Sequence, residues 1–180
     1  MKVPKSHFAR FMRLFLLVLL PLCLNAETMR VRVWVTFYCP CEKCTGKKPG
    51  QRGYGLTSTQ KRVTGVPFRR SGGTPHYGIA ADPSVIPYGS LVRFEGYTVS
   101  EFYPADYAWP VDDTGGDMKK AWRRPWEHPR VKDGTIPNQR FIALDFRTRT
   151  HAGALMLARK HGGWQWVTII VPARLAHNIP

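Results

Sequence analysis

Three aspartates next to apolar segments are the strongest candidates for chemistry in this chain. They are Asp82 in Ala80–Gly89, Asp113 in Val111–Lys119 and Asp145 in Ile142–Phe146. Asp145 interrupts an apolar stretch, where a carboxylate costs free energy unless it is paired or hydrogen-bonded. Carboxylates held close together raise the pKa of at least one of them, which supplies a general acid at neutral pH.

Each aspartate also has an ordinary structural explanation. Asp82 precedes Pro83 and is typical of the start of a turn, and Asp113 precedes Thr114 and two glycines in what reads as a tight turn. Asp145 has two arginines close by, Arg147 and Arg149, and either of them can pair with it. Structural ion pairs perturb pKa values as catalytic sites do, so one aspartate alone decides little.

The elements that must position these aspartates read as a β-rich domain. Arg30–Tyr38 alternates with period two and predicts a strand with Val31, Val33 and Val35 on one face. Further strands are expected at Tyr77–Ala81, Ser90–Phe94, Tyr97–Phe102, Ala105–Val111, Phe141–Phe146 and Trp164–Val171. Six or seven strands favour a small closed or nearly closed barrel, because closure removes exposed edges.

Only one convincing helix is expected, at Thr150–His161, where Gly162 and Gly163 stop it. Cys39–Arg70 is rich in Gly, Lys and Thr and predicts a long ordered loop. Trp122–Arg140 contains three prolines without periodicity and predicts a surface loop.

Length and composition exclude several classes of protein. A chain of 180 residues is most simply one domain and is too short for a (β/α)₈ barrel or a doubly wound dehydrogenase. The hydrophobic fraction of 43% excludes global disorder. No nucleic-acid-binding module is apparent.

Residues 1–26 are interpreted as a secretory signal. Four basic residues precede an apolar run at Leu14–Leu24, which is too short to span a bilayer, and Ala26 ends the segment. A retained N-terminal anchor is the alternative. Cys23 lacks the small preceding residues of a lipidation site.

The charge of residues 27–180, the domain expected to be exported, either favours an anionic partner or serves general solubility. The chain has 27 basic and 12 acidic residues, a net +15, and removal of the four basic residues of the signal leaves 23 − 12 = +11. Outside the cytosol, such a charge favours an anionic cell-wall polymer or envelope surface as partner. The expected location is the periplasm or cell envelope, with release from the cell as an alternative.

Taken together, the aspartate segments resemble the three-aspartate (3D) domain family of cell-wall enzymes. The matching residues are Ala81-Asp82-Pro83 with Ile86-Pro87 and Gly89, then Asp113-Thr114-Gly115-Gly116-Asp117-Met118-Lys119, then Asp145 before a short helix. The resemblance covers roughly Val31–Val171. Lys120 stands where the family usually has Gly, and residues 121–139 form an insertion before the third aspartate.

This resemblance implies an all-β fold, a six-stranded double-psi β-barrel like the catalytic barrel of the membrane-bound lytic transglycosylase A family. It also implies cleavage of the β-1,4 bond between N-acetylmuramic acid and N-acetylglucosamine in peptidoglycan, with a 1,6-anhydro product and without a cofactor. By this resemblance Asp145 is the general acid/base, and Asp113 and Asp82 support it. Thr114, Gly115 and Gly116 would orient the reacting groups.

Two further groups of residues have open alternatives. Lys119 either binds a substrate carboxylate or is a solvated lysine. Trp109, together with Trp122 and Trp126, either provides an apolar platform for sugar rings or packs into the core and the insertion.

Three cysteines fall within six residues, at Cys39, Cys41 and Cys44. In an oxidising compartment a Cys41–Cys44 or Cys39–Cys44 disulfide is expected. A zinc site is the second possibility and needs a fourth ligand such as His76, which the sequence does not place. Reduced structural thiols are the third.

Two rival functions remain at this level. A dimeric aspartic protease is suggested by Asp113-Thr114-Gly115, but Asp112 stands where those enzymes need a buried apolar residue. A non-catalytic barrel that binds cell-wall glycan is the other. The release of anhydromuropeptides separates it from an enzyme.

Overall fold

The computed structural model describes residues 26–59, 77–95 and 108–176. The predicted signal lies outside this part, apart from Ala26, as do the predicted strand at 97–102 and the start of the one at 105–111. No helix in the described part is long and apolar enough to cross a membrane.

Six strands form a closed mixed barrel, in agreement with the prediction of a six-stranded all-β fold. The strands are β1 Glu27–Tyr38, β2 Ile79–Ala80, β3 Leu91–Phe94, β4 Trp109–Asp113, β5 Ala143–Arg147 and β6 Gly163–Val171. Their order around the barrel is β1-β5-β2-β4-β3-β6. β1 pairs with β5 and β2 with β4 in parallel, and the remaining pairs are antiparallel.

The period-two pattern of β1 is confirmed. Val33 and Val35 are buried and Val31 packs against the same cluster. From the other strands, Ile79, Val92, Val111, Leu144, Phe146, Val167 and Ile169 join them in this apolar core. Alternate residues of each strand therefore fill the barrel, and the intervening ones face outward.

The prediction of a single helix was wrong, since the described part contains five short α-helices and a 3-10 turn. They are α1 Glu42–Thr45, α2 Gly116–Arg123, α3 Pro129–Lys132, α4 His151–His161 and α5 Ala173–Ala176, with the 3-10 turn at Pro125–Glu127. Only α4 is where a helix was expected, and its N-cap is Thr150, whose side chain accepts a hydrogen bond from the Gly153 N–H.

The insertion at 121–139 is folded rather than a simple surface loop. Pro125 and Pro129 are the first residues of the 3-10 turn and of α3, where a proline has no helical hydrogen bond to lose. Met118, Ala121 and Ile136 form a second apolar cluster with Phe141 outside the barrel. Elements this short show no periodicity, and their prolines were read as loop signals.

Candidate active site

A cleft of about 750 Å³ lies on the outer surface of the barrel, between the strands and the segment 39–59. Residues from β1, β2, β4 and β5 form its floor: Thr36, Tyr38, Ala80, Asp113 and Asp145. One wall comes from Pro40–Ser58, and the other from Thr114–Met118 with His128, Pro129, Arg130 and Asp133. This volume lies within the range of small-molecule sites.

Strand register brings Asp145 and Asp113 to the same floor. Ala80 on β2 is paired with Asp145 of β5 on one side and with Asp113 of β4 on the other. The two aspartates are thus two strands apart at the same level, and only the small Ala80 side chain separates them. Thirty-two positions apart in the sequence, they share one cleft.

Asp145 is a partly buried carboxyl with one close hydrogen-bond donor. Burial raises its pKa to about 7, and the negative charges of Asp113 and Asp117 act in the same direction. The Thr36 hydroxyl donates a 2.8 Å hydrogen bond to Asp145 Oδ1, which opposes the shift by stabilising the charged form. A carboxyl with this pKa exchanges protons readily near neutral pH.

Asp113 is surrounded by donors. The Ser58 N–H and hydroxyl donate to its Oδ1 at 2.8 and 2.9 Å, and the Thr114 N–H donates to the same oxygen at 2.8 Å. The Tyr38 hydroxyl donates to Oδ2 at 2.8 Å. Four donors fix the orientation of this carboxylate, so that its charge faces the cleft in a defined position.

A buried ion pair lies directly behind Asp113. Arg147 is 2% exposed and donates to both carboxylate oxygens of Asp112, at 3.0 and 2.8 Å, and to the Tyr38 hydroxyl at 3.2 Å. Gly78 leaves room for this pair, because a Cβ there would overlap both side chains. The suggested Asp145–Arg147 pairing was therefore wrong, since the guanidinium bonds to Asp112 instead.

Asp82 lies away from the cleft, which corrects the expectation that it belongs to the reacting group. Its oxygens accept two hydrogen bonds of 2.8 Å from Arg123, and Oδ1 also accepts from the Ser84 N–H and hydroxyl. Burial disfavours its charge, but these donors outweigh burial and hold the pKa of Asp82 below its usual value. Asp82 thus ties the end of α2 to the Asp82–Gly89 turn.

We expect Asp82→Asn to lower the free energy of unfolding by about 1–3 kcal/mol, because the charged hydrogen bonds to Arg123 are lost. Urea denaturation at pH 7 measures this, with Asp133→Asn, an exposed aspartate, as the control. The folded pKa of Asp82 is lowered, so its stabilisation is present above the unfolded pKa, about 4. The difference between wild type and variant should therefore disappear as the pH falls through the folded pKa. A variant as stable as the wild type at pH 7 would contradict this role.

The Thr114-Gly115-Gly116 turn lines the cleft. The Thr114 hydroxyl is buried and has no hydrogen-bond partner among the residues that the structure describes. The first N–H groups of α2, like those of any helix, have no intrahelical acceptor. Gly115 is the N-cap of α2 and has no side chain to accept a hydrogen bond from them. Lys119, in contrast, is not among the lining residues.

The tryptophan expectation is corrected at Trp109, which is 1% exposed and packs against Phe146 and Tyr77 in the core. A ring with no exposed face cannot be a platform for a sugar. Trp122 packs partly against the core, and Trp126 is 56% exposed but does not line the cleft.

The three cysteines meet a histidine that their spacing in the sequence does not indicate. Cys44 Sγ lies 3.3 Å and Cys41 Sγ 3.8 Å from His151 Nδ1, and Cys39 Sγ lies 3.7 Å from Cys44 Sγ. His76, the ligand suggested by the sequence, lies outside the described residues. His151 is more than a hundred positions away from the cysteines, so no local spacing could indicate it.

Other site residues were also missed. Thr36 and Tyr38 were read only as strand residues, and Ser58 only as part of a loop. His128 lines the cleft from the insertion, where its ring packs on Phe141 and burial lowers its pKa. Thr36 and Tyr38 lie on β1, the strand that pairs with the strand of Asp145, and only this pairing could have indicated them as site residues. Ser58 and His128 lie outside the strands and had no such signal.

Comparison with known proteins adds no assignment to this site. A scan against protein-family models and a search of curated proteins both found no match to the chain.

Proposed function

We propose that this protein is a lytic transglycosylase that cleaves the β-1,4 bond between N-acetylmuramic acid and N-acetylglucosamine in peptidoglycan. The observation that carries the proposal is the placement of the partly buried Asp145 carboxyl on the floor of a cleft that also contains the Asp113 carboxylate, which four donors hold in position. The same proposal includes membership of the 3D domain family and the double-psi form of the closed barrel.

The proposed reaction needs one group that both gives and takes a proton. Asp145, protonated, donates its proton to the glycosidic oxygen as the bond from that oxygen to the anomeric carbon breaks. The C6 hydroxyl of the same muramic acid then attacks the anomeric carbon and returns its proton to Asp145. No water is activated, so the second carboxylate of an ordinary glycosidase is not required as a base or nucleophile.

Asp113 supports this reaction through its charge. A carboxylate held by four donors stays in position while positive charge develops at the anomeric carbon, and a pre-oriented charge needs no reorganisation at that moment. Its negative charge also raises the pKa of Asp145, which keeps a larger fraction of Asp145 protonated at neutral pH.

The rest of the cleft is compatible with a polar glycan strand. The first turn of α2, which begins after Gly115 without a capping side chain, is suited to sugar hydroxyl and amide oxygens. Lys47 and Arg130 lie along the two walls beside aspartates on the floor and walls, so the cleft presents polar groups of both charges to a glycan strand. The predicted secretory signal and the net charge support an envelope location with peptidoglycan as partner.

The proposal is tested by incubating the full chain with purified peptidoglycan and separating bound protein from soluble fragments. We expect soluble muropeptides whose release grows with time and enzyme concentration. Protein that sediments with the peptidoglycan and releases no fragment from it would instead indicate the non-catalytic glycan-binding barrel. If the protein neither binds peptidoglycan nor releases fragments from it, both functions are excluded.

Thr36 offers a test of how Asp145 is tuned. Its hydrogen bond stabilises the charged carboxylate, so Thr36→Val should raise the pKa of Asp145 further. Because the reaction starts from protonated Asp145, the alkaline limb of the pH–rate profile should move to higher pH by up to about one unit. Thr36→Ser, which keeps the hydroxyl, should leave the limb in place. A limb that stays in place in Thr36→Val would contradict this tuning.

A further inference from the structure

Cys44 and three neighbouring side chains form a compact set of four donors with the dimensions of a metal site. Cys39, Cys41 and Cys44 each contribute a sulfur and His151 contributes Nδ1, and these four atoms all lie within 4.8 Å of one another. Zn–S and Zn–N bonds of about 2.3 and 2.0–2.1 Å in a tetrahedron place sulfurs about 3.8 Å apart and sulfur about 3.5 Å from nitrogen. Three of the six separations, at 3.7, 3.3 and 3.8 Å, agree with these edges, and the others do not exceed 4.8 Å.

Backbone hydrogen bonds help to place both halves of this set. On one side, Cys41 is the N-cap of α1, and the Cys44 and Thr45 N–H groups donate to its carbonyl. On the other, His151 is the first residue of α4. The Thr148 N–H and hydroxyl donate to the Tyr38 carbonyl at 2.7 and 3.1 Å, which ties the two segments together next to the cluster.

We propose that Cys39, Cys41, Cys44 and His151 bind one Zn²⁺ ion in a closed tetrahedral site. Three thiolates and one imidazole are the soft donors that zinc prefers, and four protein ligands leave no open position, as in structural rather than catalytic sites. Binding releases the three thiol protons to solvent. The same segment contains Lys43, Lys47, Lys48 and Arg52 against the single acidic residue Glu42, a net positive charge opposite in sign to that of the loaded cluster.

The consequence of zinc binding is a fixed cleft wall. The wall segment Thr45–Ser58 leaves the cluster directly after Cys44 and ends at Ser58, which donates two hydrogen bonds to Asp113. α1 has four residues, too few to be stable alone. The metal therefore anchors the start of a wall that orients Asp113 at its other end, whatever reaction the cleft performs.

Metal analysis of the full chain, purified without added metal, tests the site independently of any activity. We expect about one zinc per chain, with the thiols reduced. Replacement by Co²⁺ should give the intense sulfur-to-cobalt and tetrahedral d–d absorption bands. Cys44→Ser and His151→Ala should each lower the bound zinc at least about tenfold, whereas Cys23→Ser, which removes the one cysteine outside the cluster, should not.

A second experiment measures how firmly the cleft-wall segment Thr45–Ser58 is held. Removal of zinc by a chelator should speed trypsin cleavage at Lys47, Lys48 and Arg52 by about tenfold, and returned zinc should reverse this. Purified protein without zinc, whose peptide map shows a disulfide between two of these cysteines, would overturn the proposal. Full zinc content in both Cys44→Ser and His151→Ala would overturn it as well. Neither the zinc content nor the rate of trypsin cleavage bears on the proposed cleavage of peptidoglycan, which has its own test.

Discussion

Asp145→Asn should lower the rate of peptidoglycan cleavage by about 10³-fold or more, because the amide neither donates nor accepts the proton that the proposed reaction moves. The measurement is the initial release of soluble muropeptides by equal amounts of wild type and variant. Glu127→Gln, which removes one carboxylate outside the cleft, is the matched control and should keep wild-type activity. A variant with more than about a tenth of wild-type activity would exclude Asp145 as the general acid/base.

The pH dependence of wild-type cleavage belongs to the same prediction. Asp145 has a pKa of about 7 and must be protonated at the start of the reaction, so the rate should fall as the pH rises above 7. The fall should approach tenfold per pH unit if this single group controls it. A rate that stays level up to pH 9 would contradict the assignment.

Stability separates loss of function from misfolding in this variant. The folded pKa of Asp145 is raised, so its favourable contribution is complete below the unfolded pKa, about 4, and is lost as the pH rises through about 7. Asn carries no charge at any pH. Asp145→Asn should therefore be at least as stable as the wild type, and its advantage should grow between pH 5 and pH 8. A thermal melt at both pH values measures this.

Arg147→Met should destabilise the fold more than any of the other substitutions, with a loss of about 3–5 kcal/mol. It leaves the Asp112 carboxylate, which is 3% exposed, buried without its bidentate partner. Urea denaturation followed by tryptophan fluorescence measures the loss. Arg124→Met removes an exposed ion pair with Glu127 and should cost less than about 0.5 kcal/mol.

The double variant Arg147→Met with Asp112→Asn shows whether loss of this ion pair is the cause. We expect it to recover part of the stability lost in Arg147→Met, because neither member of the pair is then charged. Equal losses in Arg147→Met and Arg124→Met would contradict a structural role for the buried pair. If Arg147→Met does not fold, the stability of the double variant still reports on the pair.

Much of the barrel was predictable because its signals are local. The alternation in β1 and the β-branched run in β6 follow from burial of one strand face, and the Thr150 cap with the glycines at 162 and 163 marks both ends of α4. The short helices of the insertion were not predictable in this way. Their apolar contacts, such as Met118 with Phe141, join residues from different elements.

The candidate site was predictable only in part, for a similar reason. Asp113 and Asp145 were singled out by type and neighbours, but their shared floor depends on the registers of β2 with β4 and β5. The partners of each aspartate come from remote segments: Thr36 for Asp145, Ser58 for Asp113 and Arg123 for Asp82. Such pairings are fixed by tertiary structure and leave no spacing pattern in the sequence.

The most direct test of the central claim is mass spectrometry of the fragments released from peptidoglycan by the full chain in water labelled with heavy oxygen. We expect fragments with a 1,6-anhydromuramyl end, lighter than the hydrolysed form by one water molecule and free of the label, because the C6 hydroxyl is the nucleophile. Fragments with a labelled reducing end would show that water attacks the anomeric carbon. That result would contradict the single-acid mechanism assigned to Asp145.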